Sequence, residues 1–553
     1  MAAESFVDRE SELGLIDEVL GQIRLGEGGN LCLLGVPGAG KTSILKEYIG
    51  RRRARWEEEG VVLVYVSLTD LGNSPHELAA GFVGEVLARV AFTFKAEIDI
   101  SELRRAETFA SCAANIQSRA VSAFIESLQQ MPVGESPHPE GLVRSAFRFP
   151  DAFAVEKRIR IILFVDNFDD LKKYAHPAMA AFAEFQQALE GQAEAFYVTA
   201  MTHSPFADRV FSGSGAPLAG RFRTALLRGI ETGPAADLAL SVMGGEETPR
   251  SRKAAELIAR LSSGIPVILR HIARATRSAA GDDPPSEGAV ARGFVAEVLS
   301  PLGKVYRHYL TCIQQAVGEK AEYLSARNVL AHLAEGKAVR PEEIGERTGL
   351  DLETVARLVG RVLASGLFRN VDDSFYFDDP LFRFWALKTE PSLEPGNVKL
   401  PEEKALALAD EYLQRFREGP AKPAPGKGKK FNFRELISAC KGRTVPGQTL
   451  GRTEPVDFPL FEKVKGFAFS SKQVKMYYLE GDGQYWGLMI VWLPMPVDRA
   501  EVEILAQQSR GKLDRIWFVC RGGFTPAARE AAEEYAVFLS DEGDLRRLVE
   551  NLA

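Results

Sequence analysis

"NLCLLGVPGAGKTSILKEY", residues 30–48, decides how the rest of the chain is read. Leu31 to Leu34 is a short apolar run of the kind that forms a buried strand. Gly35-Val-Pro37-Gly38-Ala39-Gly40-Lys41-Thr42 then fits GxxxxGK[ST], and an amphipathic helix follows from Ser43. Strand, glycine loop and helix in that order make a phosphate-binding loop. The glycines let backbone N–H groups curl around phosphate oxygens, and the helix N-terminus adds partial positive charge. The spacing predicts that residues Gly35 to Ser43 cradle a nucleotide, with Lys41 on the β and γ phosphates and Thr42 on Mg²⁺. A glycine turn ahead of a helix is the plainer alternative, and the flanking strand and helix weigh against it.

Three further apolar runs read as strands: "GVVLVYVSLTD" (60–70), Arg160 to Asp170 within "RIRIILFVDNFDDL" (158–171), and "AEAFYVTAMTHS" (193–204). Helical segments separate them. Such alternation implies an α/β fold, a parallel sheet covered on both faces. Gly35 and Asp166 then both lie at strand carboxyl ends, where ligands bind in such sheets. Asp166 is expected to hold Mg²⁺, directly or through water. The next residue in nucleotide sites of this kind is often a second, catalytic acid, and here it is Asn167. Asparagine hydrogen-bonds a water but does not take its proton. Asp169 or Asp170 would substitute if the chain bends back toward the phosphate. The expectation is tight binding of ATP and slow turnover.

The bulk numbers set the frame. At 553 residues the chain should hold several domains, and 46% hydrophobic with 26% charged residues fits a soluble globular protein. A net charge of −7 argues against coating nucleic acid by charge alone. The five cysteines are scattered and form no CxxC pair, as expected of reduced thiols in a cytoplasmic protein. The N-terminal residues "MAAESFVDRE" lack the pattern of a signal peptide. No run nears the ~18 apolar residues of a membrane span.

The motifs together resemble the archaeal-type ATPases, close to the STAND switch ATPases and the Orc/Cdc6-like branch of AAA+ proteins. "FVDRESELGLIDEVL" (6–20) is similar to the box that opens these proteins, where Val7 and Arg9 match positions that contact the adenine nucleotide. Thr202 and His203 stand where the group keeps a polar sensor of the γ phosphate. Gly264-Ile265-Pro266 resembles the G-x-P motif of the STAND lid, which implies that Pro266 packs near the base and Arg270 sits in a sensor-like place. "DNFD" keeps Asp166 and Asp169 of the Orc-like D-E-x-D pattern and departs from it at Asn167. Arg209, Arg221 and Arg223 are candidate arginine fingers, with solvated surface arginine the plainer reading of each.

The resemblance reaches residue 387. Residues 323–387 look like a winged helix, with helices in "PEEIGERTG" and "LDLETVARLVGRVLASG" and a hairpin turning near Asp372 and Asp373. From 321 to 387 eleven acids stand against eight bases, which favours packing or regulation over DNA contact, although Arg357 and Arg361 are placed to meet phosphates. "REGPAKPAPGKGKK" (417–430) reads as a flexible tether. Residues 431–553 resemble Mrr-type restriction-endonuclease-like domains through Gly523-Phe524-Thr525-Pro526-Ala527-Ala528. The strand that should carry E-x-K, "QYWGLMIVWL" (484–493), holds neither acid nor lysine. Only Glu435, Glu480 and Asp482 are near, so a binding-only domain is expected. Tyr485, Trp486 and Trp492 read as core.

The expected organisation is a P-loop ATPase core (1–230), a helical lid (231–305), a winged helix (306–390), a linker (391–430) and an inactive restriction-endonuclease-like α/β domain (431–553). The expected function is an ATP-binding AAA+/STAND-type switch ATPase using ATP and Mg²⁺, with a protein partner, DNA or further copies of itself as what it engages. The alternatives are a DNA-metabolism ATPase and an ATP-gated nuclease effector.

Overall fold

The computed structural model describes residues 6–23, 29–95, 99–130, 141–212, 215–244, 247–318, 322–335, 341–371, 374–377, 379–389, 400–417, 437, 440–468, 474–491, 497–509, 511–541, 543–545 and 547–548. The chain divides into two compact units. One comprises Met1–Ile230, Ile265–Val267 and Leu363–Arg369; the other comprises Glu231–Gly264, Ile268–Val362 and Asn370–Ala553.

The first unit is built on five parallel strands: β1 (Asn30–Gly35), β2 (Val61–Ser67), β3 (Arg160–Asp166), β4 (Ala195–Thr202) and β5 (Phe222–Leu227). Their order is β2-β3-β4-β1-β5, which puts the phosphate-loop strand inside the sheet. Alternate residues of β3 face opposite cores. Ile162 and Phe164 pack with α1 (Glu10–Ile23) and α2 (Lys41–Glu58), while Ile161, Leu163 and Val165 join the second core. Both faces are buried, which is why these strands read as unbroken apolar runs.

The long segment after β2 belongs to that second core. It forms α3 (Pro75–Thr93), α4 (Ile100–Leu103), α5 (Ala106–Ala113), α6 (Arg119–Gln130) and α7 (Gly141–Lys157). Phe82, Phe109, Phe124 and Phe147 from these helices are buried together with Val64 and Val165 of the sheet. The Phe147 ring lies 4.4 Å from that of Phe82 and 4.7 Å from that of Phe185 in α8 (Ala178–Ala188). The segment is therefore a wall of the sheet rather than an appended module. Of the turn-rich stretch 132–141, only Gly141 lies within the described residues. After β4 comes α9 (Pro205–Phe211), and then β5.

Beyond β5 the chain is helical: α10 (Thr232–Met243), α11 (Pro249–Leu261), α12 (Pro266–Ala280), α13 (Glu287–Phe294), α14 (Lys304–Val317), α15 (Tyr323–Ala334), α16 (Pro341–Thr348) and α17 (Leu352–Leu363). A two-stranded sheet follows, β6 (Phe368–Val371) with β7 (Ser374–Phe377), then α18 (Pro380–Lys388). The Asp372–Asp373 turn lies outside the described residues. Arg357 and Arg361, placed by the sequence for phosphate contact, are both held by Glu322, and Arg361 also donates to the Val317 carbonyl at 2.9 Å.

The linker over 391–430 needs correction. Glu402–Arg417 within it forms α19, with Ala405, Ala409, Tyr412, Leu413 and Phe416 buried. That spacing is a helical stripe, and its burial is what stabilises the helix. Tyr412 lies 4.4 Å from the Phe384 ring, and Arg260 Nε donates to the Phe416 carbonyl at 2.9 Å. Except for Arg417, the lysine-rich stretch 417–430 lies outside the described residues.

The C-terminal part holds a small pair, β8 (Thr444–Val445) with β9 (Val456–Asp457), and a second five-stranded sheet. Its strands β10 (Phe461–Ala468), β11 (Val474–Gly481) and β12 (Gln484–Val491) are antiparallel neighbours. Then β13 (Arg515–Cys520) and β14 (Val537–Ser540) run parallel to β12, after the helices α20 (Arg499–Ser509) and α21 (Pro526–Glu534) respectively. Asp482 and Gly483, with φ of 50° and 71°, make the tight turn from β11 to β12. Thr525 caps α21, accepting from Ala528 N and donating to Asp498 Oδ1 at 2.9 Å, so the Gly523-Phe524-Thr525-Pro526 motif works here as a helix start. Trp486 is in the core, whereas Tyr485, expected there, is 40% exposed; Trp492 lies outside the described residues.

Among the described residues no helix is long and apolar enough to cross a membrane. None of the five cysteines is in a disulfide.

Candidate nucleotide site

The loop after β1 has the backbone its glycines predict. Gly38 and Gly40 have φ of 82° and 96°, in the left-handed region that a side chain disfavours. Gly35 is needed for a different reason: a Cβ there would meet the Leu227 carbonyl oxygen at 3.1 Å and Ala39 Cβ at 3.4 Å. The loop closes with Ala39 N donating to the Val36 carbonyl at 3.2 Å. Helix α2 then begins at Lys41 with Gly40 as its cap, so no side chain accepts from its first-turn N–H groups. Uncapped N–H groups at a helix start suit an anion. Lys41 Nζ donates to the Gly35 carbonyl at 2.8 Å and the Val36 carbonyl at 3.1 Å, which keeps the ammonium over the loop. Pro37 and Thr42 are half-buried, and Ser43 is exposed.

Arg9 does something the sequence did not disclose. Its Nη2 donates to the Ala39 carbonyl at 3.1 Å and to the Arg228 carbonyl at 2.7 Å, and its Nη1 to Glu12 Oε1 at 2.9 Å. The guanidinium is thus a buried peg that ties the phosphate loop to the residue just beyond β5. Val7 is half-buried ahead of it. Charge-assisted hydrogen bonds are worth about 1.5–3 kcal/mol each. Arg9→Ala is expected to raise the dissociation constant for ATP about tenfold, with the effect read by fluorescent-nucleotide titration; Arg9→Lys recovers only part, because one ammonium cannot reproduce the planar fork.

Asp166 ends β3, two strands from β1, with Thr202 ending the intervening β4. The Asp166 carboxylate is 2% exposed. Its Oδ2 accepts from the Tyr65 hydroxyl at 2.9 Å and its Oδ1 from Asn167 N at 3.0 Å. Burial, then the Asp166 charge, pushes the Tyr65 phenol well above its usual value, so it stays a donor. Thr202 is paired in register with Gly35, and His203 N donates to the Gly35 carbonyl at 3.2 Å. The segment Leu363–Arg369 reaches this point: a Cβ on Gly366 would lie 2.4 Å from Thr202 Cγ2. Pro266 is close to the loop as well, its Cγ 3.8 Å from where a Gly40 Cβ would be.

Asn167 has φ 52° and ψ 45°, and asparagine is among the few residues that accept that conformation. It is exposed, and its Nδ2 donates to Ser67 Oγ at 3.4 Å. Ser67 is on β2, the edge strand away from β1, so the amide is directed away from the phosphate loop. Asp170 is likewise occupied, by Thr69 Oγ1 at 2.8 Å and Lys173 at 2.7 Å. Asp169 differs. The Cys32 thiol in β1, pushed up to about 12 by burial, is also raised by the Asp169 charge and lowered by that of Lys41. Arg209 lies over the Phe206 ring at 5.4 Å, Arg221 is exposed, and Arg223 pairs with Glu18 at 2.7 Å. Arg270 belongs to the second unit, on the first turns of α12.

In the C-terminal sheet, Glu480 pairs with Lys463 at 3.1 Å and Asp482 Oδ2 accepts from Leu460 N at 2.6 Å. Glu435 lies outside the described residues.

No family model and no curated protein matches this chain. Solved structures similar to it include the Walker-type ATPase of Pyrococcus abyssi, at 14% identity and a TM-score of 0.44, covering 69% of this chain and 96% of that one. The Aeropyrum pernix ORC1 protein, solved in complex with DNA, is 16% identical with a TM-score of 0.38 over 70% of this chain and 93% of its own. The Thermotoga maritima RuvB Holliday junction branch migration motor is 14% identical with a TM-score of 0.33, over 70% and 99%. At this level of likeness the functional reading stands on the loop, the acid and their neighbours.

Proposed function

We propose that the chain is an ATP-binding switch ATPase of the AAA+/STAND type, with slow hydrolysis. One observation carries this: Lys41 and the uncapped start of α2 lie at the same carboxyl end of the sheet as a buried carboxylate, Asp166, two strands away. The residues suit Mg²⁺·ATP. Gly38 and Gly40 open the loop to phosphate oxygens, and each Asp166 oxygen accepts one hydrogen bond, which leaves lone pairs for a metal or its water. Thr42 and Asp166 would hold the ion, which draws charge from the β and γ phosphates when bound. Lys41 neutralises the same oxygens. Thr202, beside the loop, senses the γ phosphate. Pro266, Val7 and Arg9 bound the site on the loop side. In this reading 231–305 is a lid, 306–390 a winged helix and 431–553 an inactive endonuclease-like domain, and ATP state is passed to a partner protein or to further copies of the chain. DNA contact and nuclease action have less support, because Glu322 holds Arg357 and Arg361, and Glu480 and Asp482 are already engaged.

Asp169, rather than Asn167, is the water-directing acid in this proposal. Single-turnover hydrolysis of ATP with Mg²⁺ tests it. Asp169→Asn should slow the chemical step about 100-fold, the scale of a lost general base, with ATP affinity within about twofold. Asn167→Glu should leave the rate unchanged, since position 167 faces β2. Acceleration in Asn167→Glu, with Asp169→Asn neutral, would move the role to 167. Failure to bind ATP at all would end the proposal.

A further inference from the structure

The free edge of the first sheet carries a second site. A cavity of about 410 Å³ opens where α3 packs on β2, with Leu63, Tyr65, Ala88 and Phe92 forming its apolar walls. That volume lies within the range of small-molecule pockets. Three arginines, Arg53 of α2, Arg89 of α3 and Arg104 just beyond α4, also line it. The Nε atoms of Arg53 and Arg89 are buried, and neither donates to any acceptor among the described residues. A buried donor without an acceptor is costly, and natural structures rarely leave one so. Arg89 is paired with Glu57, and Arg104 with Glu85 at 2.8 Å. Three guanidinium groups thus face two carboxylates, and Lys46 Nζ, 5.0 Å from the centre of the Tyr65 ring, adds a further positive charge. Burial, then the charge of Arg53, lowers the affinity of Arg89 for its proton.

From this cavity, its two buried Nε donors without acceptors and its excess of positive charge, we infer a binding site for a small organic anion, a carboxylate on a compact apolar body. A guanidinium fork matches a carboxylate in geometry. The Tyr65 and Phe92 rings receive the apolar part.

The site is wired to the nucleotide. The ring of Tyr65 is a wall of the cavity, and its hydroxyl is the donor that holds Asp166. Lys46 of α2 lies over the same ring, 5.0 Å from its centre. An occupant that presses on Tyr65 therefore acts on the acid proposed for Mg²⁺ and on the helix that starts at the phosphate loop; this coupling, unlike the binding itself, rests on the proposed function.

Benzoate is the probe. Calorimetric titration into the full chain should show saturable one-to-one binding, weakened about tenfold or more in Arg53→Gln and unaffected by Lys41→Ala. Arg53 has no ion pair among the described residues, so that variant should fold; Ala88→Leu, which fills the cavity, should abolish binding independently. Non-saturable binding, or binding lost in Lys41→Ala and kept in Arg53→Gln, would overturn the site. Saturating benzoate should also shift the dissociation constant for ATP about fivefold or more, the lower range of measured couplings, and Tyr65→Phe should remove the shift with benzoate binding intact. An unchanged ATP affinity in the native chain, or a shift that persists in Tyr65→Phe, overturns the coupling. Benzoate binding in a chain that never binds ATP would instead overturn the proposed function and leave the cavity site standing.

Discussion

Replacing Lys41 with alanine should raise the dissociation constant for ATP about 100-fold, and that for AMP by less than about threefold. The ammonium reaches the β and γ phosphates, so only nucleotides that carry them feel its loss. A charge-assisted hydrogen bond is worth about 1.5–3 kcal/mol, and each 1.4 kcal/mol is a factor of ten in affinity. The fold should tolerate the change. Lys41 is half-buried, and its bonds to Gly35 and Val36 are to its own loop. Titration with ATP, ADP and AMP separates the cases. Equal losses for all three would mean that the loop has collapsed rather than lost one contact.

Gly366→Ala should destabilise the chain by about 2–5 kcal/mol, from about 1–2 for a left-handed backbone and about 1–3 for overpacking. Gly366 is buried at φ 69°, and an added methyl would meet Thr202 Cγ2 at 2.4 Å and the His203 carbonyl at 2.6 Å. Neither neighbour is the free end of a long side chain, so the backbone itself must move. Gly360 in α17 supplies the control: nothing lies within 4 Å of its added methyl, and it is helical. Gly360→Ala should be neutral or stabilise by up to about 1 kcal/mol. Urea unfolding of the full chain, followed by tyrosine and tryptophan fluorescence, measures both. A second readout bears on function. Since Thr202 is next to Gly35, Gly366→Ala should change the ratio of ATP to ADP affinity, whereas Gly360→Ala should not.

The sheet of the first unit was legible wherever strands are buried on both faces. The apolar runs at 31–34, 60–70, 160–170 and 193–204 correspond to β1 to β4; β1 extends one residue beyond its run at each end, and β2 to β4 are a few residues shorter than theirs. β5 was missed because Arg223 and Thr224 are exposed in succession and break the apolar signal. The stripe of α19 was legible, its apolar residues recurring every three or four positions, but the neighbouring tether composition obscured it. The place of 75–157 was not. Nothing local says that Phe82 and Phe147 pack against each other and on β2 and β3, since the partners are far apart in sequence. At the site, residue types were readable and orientations were not. Asn167 looked like a missing acid, yet its left-handed backbone and the bond to Ser67 give it a local structural reason. Arg9 and Tyr65 bind acceptors 30 and 101 residues away, respectively, which no motif encodes.

The peg at Arg9 also bears on portability. The eight residues from Gly35 to Thr42 look self-contained, a cassette that could be moved between proteins. Here their shape is secured by a donor from ahead of α1 and by a carbonyl beyond β5. A hybrid that exchanged β1, the loop and α2 alone would carry the signature intact and inherit none of its bracing. In this chain the functional unit of exchange is the whole span from Arg9 to Arg228, which makes the phosphate loop a property of the domain that encloses it.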